Sequence, residues 1–494
     1  MNHRPLPRIV SLLGLLLSHV LVAAASADAP APAPGVWAAQ LECPGGPIEF
    51  EFELRPVPAD AAADPGPAGR APVATQRGWR AWLRNGRETV AVPSVVVAGN
   101  ELRMDFTQYG SEIIARTGDD AQTLRGQWQR RRGSDTWTRM EFSATWQGPP
   151  TRTTPAGNAT TIAPAAATST RGATSGSSGT SSGTSNGTPD NAPANTPADA
   201  FAGTWSVDFS SSDELAVGVF ERVPGSANGL TGTFLTTVGD YRFLGGRVDA
   251  DGQTMRLSVF DGAHAFLFVA TRHAGGGLRG DFWSRDAWHE TWTATRDDDA
   301  ALPDGFGLTA WNADVDLGSL RFPTPDGELV ALNDPRFAGR PRIIEIFGTW
   351  CPNCNDATEY LVELHERYAD RGLSILGLAF EYTGDPAIDA ERVRAYRAHH
   401  AIEFPILIAG TADKAKASAA LPIVDRVRAY PTMIFMDAGG AVRAIYTGFN
   451  GPATGDLHGK LREDFERIIE SMLAPRRAPI APVSPAAPVA PLSR

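Results

Sequence analysis

The stretch IIEIFGTWCPNC, Ile343 to Cys354, holds two of the three cysteines in a chain of 494 residues. Its first half is a short apolar run of β-branched residues interrupted by one acid, Glu345, which reads as a buried strand. From Pro352 onward the apolar residues Ala357, Tyr360, Leu361, Leu364 and Tyr368 recur at helical spacing. Cys351 therefore stands where a buried strand ends and a helix begins. The unpaired amides and positive dipole end of a helix N-terminus stabilise a thiolate, so Cys351 is the expected nucleophile. Cys354, one turn inside, can reach it to close a small disulfide, and Pro352 suits the first helical turn, where its missing N–H costs nothing.

Other uses of such a pair fit less well. A structural zinc site needs a second ligand pair, which neither His365, on the same helix, nor Cys43, in another domain, supplies. A permanent disulfide across so short a loop contributes little stability. A redox-active dithiol is the reading that remains. The odd cysteine, Cys43 in LECPGG, reads as a buried, inert thiol, with lipid attachment or an in-chain redox partnership across a flexible linker as alternatives.

Further along, LSILGLAF reads as a second buried strand, and Asp385 with Pro386 opens a second helix as its cap and first position. EFPILI, TMIFMD and VRAIYTG read as three more strands. Leu457, Leu461, Phe465, Ile468 and Met472 mark a closing amphipathic helix. This order predicts an α/β domain with a central mixed sheet over residues 308–474.

The chain begins MNHRPLPRIVSLLGLLLSHVLVAAASADA, with a cationic start, an apolar core and small residues before Ala27. Residues 1–27 read as a cleaved secretory signal peptide; the run is short for a membrane anchor and His19 interrupts it. Export to a periplasm or similar compartment follows, with no stable membrane insertion after cleavage. The formal net charge of −11 excludes nucleic acid as an expected partner. Arg130, Arg131 and Arg132 are a local exception and read as a solvated loop.

Residues 151–199 collapse to Ser, Thr, Gly, Ala and Pro, as in RGATSGSSGTSSGTSNGTPD, and read as a disordered linker. The Pro/Ala-rich tail 475–494 reads likewise. Across the linker the sequence repeats itself. GVWAAQL at Gly35 is echoed by GTWSVDF at Gly203, LRMDF at Leu102 by MRLSV at Met255, LRGQW at Leu124 by LRGDF at Leu278, and DTWT at Asp135 by ETWT at Glu290. Two copies of one domain, 28–150 and 200–298, are expected. Short alternating strands in each predict an antiparallel all-β barrel or sandwich. The recurring Trp37, Trp128, Trp137, Trp205 and Trp292 read as packing residues rather than a binding surface.

IIEIFGTWCPNC together with the later AYPTMIF, Ala429 to Phe435, resembles the thioredoxin superfamily, and within it the TlpA-like exported thiol-disulfide oxidoreductases with an N-terminal extension. The resemblance covers Leu317 to Leu473. It implies a thioredoxin fold and dithiol–disulfide exchange, with Cys351 as the attacking thiol and Cys354 as the resolving thiol. Pro431 takes the place of the cis-proline facing the disulfide, and Glu345 that of a buried acid exchanging a proton with the resolving cysteine. The implied substrate surface comprises Trp350, Pro352, Asn353, Tyr430 and Thr432, with Glu381 and the loop residues Gly448 and Phe449 beside it. Gly377 departs from the family, which places a lysine there near the buried acid, and the Pro-Asn dipeptide differs from the thioredoxin pair.

The function so implied is a periplasmic reductase of protein disulfides, needing no cofactor beyond the dithiol and fed with electrons by a membrane partner protein. A thiol peroxidase is one alternative, though Gly348 stands where it would need a threonine. A binding or assembly protein, whose β domains hold a partner and whose dithiol is secondary, is another.

Overall fold

The computed structural model describes residues 30–57, 78–131, 136–150 and 196–474. The stretch read as a signal peptide, the tail and nearly all of the stretch read as linker lie outside the described residues. Among the described residues no helix is long and apolar enough to cross a membrane.

The two β units share one strand plan. The first runs β1 (Gly35–Cys43), β2 (Gly46–Pro56), β3 (Trp79–Asn85), β4 (Glu88–Ala91), β5 (Ser94–Ala98), β6 (Glu101–Phe106), β7 (Ser111–Thr117), β8 (Thr123–Arg131) and β9 (Trp137–Gly148). The second runs β10 (Gly203–Phe209), β11 (Ala216–Arg222), β12 (Gly229–Thr236), β13 (Gly239–Asp240), β14 (Leu244–Val248), β15 (Thr254–Phe260), β16 (Ala265–Arg272), β17 (Leu278–Ser284) and β18 (Trp288–Arg296). Three of the quoted repeats fall on equivalent strands in register, β1 and β10, β6 and β15, β8 and β17. The fourth does not: Gly280 pairs with Trp292, but its counterpart Gly126 pairs with Phe142 rather than Trp137. In both units the first strand pairs antiparallel with the second and the last.

The units differ in closure. In the second, β12 pairs with both β11 and β14, so eight strands close into a barrel. Its interior is filled by aromatic rings, with Phe234, Phe268 and Phe282 stacked in succession and Trp292 edge-on to Phe234. In the first, the order β4-β3-β2-β1-β9-β8-β7-β6-β5 leaves a curled nine-stranded sheet with no bond between β3 and β5. The β15–β16 hairpin of the barrel enters its core: Phe260, Ala263, Ala265 and Leu267 pack there with Trp37, Phe50, Phe106 and Trp128. The Asn85 side chain pairs with both backbone groups of Phe260, donating at 2.8 Å and accepting at 3.0 Å. Trp128 Nε1 donates to the Gly262 carbonyl at 2.8 Å. Gly262 has φ +102°, and a Cβ there would come within 2.3 Å of the Phe106 ring, so only glycine fits this approach.

Trp37, Trp128, Trp205 and Trp292 are core residues as expected, whereas Trp137 is 37% exposed. Two readings are corrected. Arg130 and Arg131 belong to strand β8, not to a loop, and Arg130 is buried; Arg132 lies outside the described residues. The β pairing of neighbouring residues overrides the polar composition there. Residues 196–199, read as linker, lead into the barrel through a turn in which Thr196 and Asp199 cap each other and Ala198 is buried.

The C-terminal domain opens with a hairpin of β19 (Arg321–Pro323) and β20 (Leu329–Ala331). There follow β21 (Arg342–Phe347), α1 (Pro352–Tyr368), β22 (Ser374–Glu381), α2 (Pro386–His399), β23 (Ile406–Thr411), α3 (Lys414–Ala420), β24 (Thr432–Met436), β25 (Val442–Thr447) and α4 (Asp456–Leu473). The sheet order is β23-β22-β21-β24-β25, parallel across the first three and antiparallel for the last two. β21 and β22 are buried along their whole length, as central parallel strands are. Asp385 caps α2 by accepting from Ala387 and Ile388 N–H. On α4 the buried stripe is Leu461, Phe465, Ile469 and Met472; Leu457, expected inside, is exposed at the mouth of a cavity between barrel and helix.

Candidate active site

Cys351 is the N-cap of α1, with Pro352 at the first helical position. Its Sγ accepts from Cys354 N–H at 3.3 Å and donates to the Tyr430 carbonyl at 3.2 Å. Both cysteines are free thiols, Cys351 4% and Cys354 0% exposed. Burial first, then its hydrogen bond and charge coupling to Cys351, push the Cys354 thiol well above its usual pKa. The Tyr430–Pro431 peptide is cis.

Glu345 stands on the central strand and is 1% exposed. Burial lifts its carboxyl to about 8, against a small lowering by the Thr358 hydroxyl, and Oε1 has no hydrogen-bond partner. The carboxyl lies close enough to Cys354 to raise the energy of that thiolate. Tyr396 closes the same pocket, its hydroxyl placed 2.8 Å from Thr358 Oγ1 and 3.2 Å from the Cys354 carbonyl. Sequence reading missed Thr358 and Tyr396, which helical and strand periodicity mark only as buried positions. Gly377 pairs directly opposite Glu345 on β22, and a Cβ there would come within 2.9 Å of the Phe347 ring. Among the described residues no lysine acts on Glu345.

The expected substrate residues divide into two groups. Trp350 is half-buried, its Nε1 donating to the Phe380 carbonyl at 2.8 Å and its ring lying 4.4 Å from that of Tyr382. Gly448 N–H donates to the Pro431 carbonyl at 2.9 Å, so this loop borders the proline. Pro352 and Asn353 flank the cysteines but are engaged by the barrel. Glu381, Thr432 and Phe449 are fully buried and form no open wall. Glu381 instead accepts from Thr349 N–H (3.0 Å) and Oγ1–H (2.7 Å), bracing the turn before Trp350; burial raises its carboxyl to about 7.

The barrel's contribution was invisible in the sequence. Arg242 donates to the Pro352 carbonyl at 3.3 Å and to Asp356 at 3.2 Å, and pairs with Glu88 of the curled sheet. Burial opposes its charge, but Asp356, Glu88 and Asp261 more than offset this and hold its pKa well above the ordinary value. His264 lies between Asp261 Oδ2 (2.9 Å) and the Trp350 carbonyl (2.7 Å). Tyr109 of the curled sheet packs edge-on against the His264 ring at 5.5 Å. The contacts of His264 with Trp350 and of Arg242 with Pro352 and Glu88 join residues 86 or more positions apart in sequence, and no local pattern announces them. Cys43 is far from such chemistry: its thiol donates to the Arg285 carbonyl at 3.2 Å between the two β units, and burial raises its pKa.

A mixed five-stranded sheet carrying a buried-strand dithiol at a helix N-terminus, beside a cis-proline loop, is a thioredoxin-fold redox domain. The Redoxin family model matches residues 301–459 of the chain, so the expected resemblance is borne out for this domain. The chain is 26% identical over 136 residues to the thiol-disulfide oxidoreductase ResA of Geobacillus kaustophilus, covering 28% of this chain and 65% of that one. It is 28% identical over 125 residues to the thioredoxin-like protein YneN of Bacillus subtilis, covering 25% and 65%. The chain thus spans just under two thirds of these curated relatives. A solved thiol:disulfide interchange protein of Chlorobium tepidum aligns over 35% of this chain and 100% of its own, at 21% identity and TM-score 0.24.

Proposed function

We infer that the protein is an exported thiol-disulfide oxidoreductase that reduces protein disulfides through Cys351 and Cys354. The observation that carries this is the Cys351 Sγ at the N-terminus of α1, held between Cys354 N–H and the Tyr430 carbonyl. In the forward half-reaction the Cys351 thiolate attacks one sulfur of a substrate disulfide and expels the other as a thiolate. Cys354 loses its proton to the Glu345 carboxylate and attacks Cys351. That releases the second substrate thiol and leaves Cys351 and Cys354 joined, with two electrons passed to the substrate. A carboxyl lifted to about 8 is a stronger base than an ordinary carboxylate, and the fraction ionised near neutral pH is the form that takes that proton. Periplasmic location and re-reduction by a membrane electron donor complete the reading, with no cofactor beyond the dithiol.

The test is the reduction potential of the pair in glutathione buffers, read by Trp350 fluorescence. A value near about −270 mV supports a reductase. A value near about −120 mV would make the protein a disulfide-forming oxidant instead.

A further inference from the structure

The groove that a disulfide has to enter is already filled. The turn from Thr236 to Asp240 at the end of β12 lies on Asn353 and on the Gly448–Gly451 loop. A Cβ at Gly239 would come within 2.0 Å of the Asn353 amide, and one at Gly448 within 2.8 Å of the Thr237 carbonyl. Asp240 accepts from Gly451 N–H at 2.8 Å, and its own N–H donates to Asn353 Oδ1 at 3.4 Å. From the other side, His264 and Arg242 donate to the Trp350 and Pro352 carbonyls that bracket Cys351. Cys351, beside these loops, is only 4% exposed, yet exchange requires the attacking sulfur to reach a substrate sulfur.

The seam is built differently from the rest of the molecule. The barrel and the curled sheet share a hydrophobic core through the β15–β16 hairpin. The redox domain shares none: every residue of its core lies beyond position 300, and the barrel's own core ends before it. What joins the redox domain to the barrel over the dithiol is polar: Asp240 to Asn353 and Gly451, Arg242 to Pro352 and Asp356, His264 to Trp350. Polar seams of this kind between separate cores are where relative domain motion is expected.

We propose that the barrel is a displaceable cover of the dithiol, with Asp240, Arg242 and His264 as positioning residues that hold the Trp350–Asn353 turn, and that a protein disulfide reaches Cys351 only when the cover lifts. This rests on the oxidoreductase reading for its consequence, while the enclosure of Cys351 stands apart from it.

The test is the iodoacetamide alkylation rate of Cys351 in the reduced full chain, resolved from Cys43 and Cys354 by peptide mass spectrometry. His264→Ala is expected to raise the rate by about tenfold or more, as loss of a closing contact does for a locally opened site. His264→Gln, which keeps an N–H donor, is expected to stay near the unaltered protein. Asp240→Ala loosens the other loop and serves where His264→Ala fails to fold; it is expected to raise the rate likewise. Equal rates in the unaltered protein and in both alanine variants would overturn the cover. Equilibration of the same samples with glutathione separates the two readings. A disulfide that forms reversibly while alkylation ignores the variants overturns the cover alone. Alkylation that responds while no Cys351–Cys354 disulfide forms at any glutathione ratio upholds the cover and overturns the oxidoreductase.

Discussion

Phe260, a residue of the barrel, packs its ring 4.6 Å from that of Phe50 in the curled sheet and at the same time against Phe106 and Trp128. The open side of the first unit is closed by a piece of the second, so the first unit's core is incomplete alone. Phe260→Ala is expected to cost roughly 3–5 kcal/mol, the usual loss for a buried phenylalanine. Because the core is shared, the tryptophans of both units should unfold in one transition, shifted together. Separate transitions for the two units would contradict the shared core.

Glu345 makes stability depend on pH. Its folded-state carboxyl, at about 8, holds a proton that the unfolded chain releases near the ordinary 4.5. The stabilising contribution of the protonated form is therefore complete below about 4.5 and is lost as pH rises towards 8. Glu345→Gln should flatten urea midpoints between pH 5 and pH 9 and raise stability at the alkaline end. It should also slow release of a trapped mixed disulfide. A variant whose midpoints fall as steeply as before would show that the carboxyl is not the source.

Gly377→Lys, which restores the residue the thioredoxin resemblance places there, should destabilise the domain. Its Cβ would meet the Phe347 ring at 2.9 Å on a fully buried strand, and overpacking of this kind costs about 1–3 kcal/mol before the charge is counted. Chemical denaturation followed at Trp350 checks it; an unchanged midpoint would mean that Phe347 yields freely.

Thr349→Val removes the hydroxyl that donates to Glu381. The ionised carboxylate then loses support, so the loss, about 1–3 kcal/mol, should appear mainly above the Glu381 pKa of about 7 and shrink below it. Thermal melts at pH 6 and pH 8 separate the two; an equal loss at both would place the effect in packing instead.

The redox domain was legible because its signals are local. A buried run, a tryptophan, two cysteines a helical turn apart and a proline at the helix start lie within the dozen residues Ile343–Cys354, and Asp385–Pro386 marks α2 as plainly. Short elements escaped: α3, in KAKASAA, has too few apolar positions to show a period, and the β19–β20 hairpin is three residues a side. The β repeats were legible as repeats, but whether each sheet closed was not. The same strand plan gives a barrel in one copy and an open curl in the other.

By itself the sequence marked the candidate dithiol and the repetition of one short-stranded unit, since both follow from residue type and spacing along one stretch of chain. Tertiary structure alone decided what surrounds that chemistry. Asp240, Arg242 and His264 are unremarkable polar residues at a strand end and in turns of the barrel, and only the docking of a separately folded unit brings them to Asn353, Pro352 and Trp350. Hydrogen bonds and buried charge pairs form through space, between groups whose sequence positions carry no trace of the meeting.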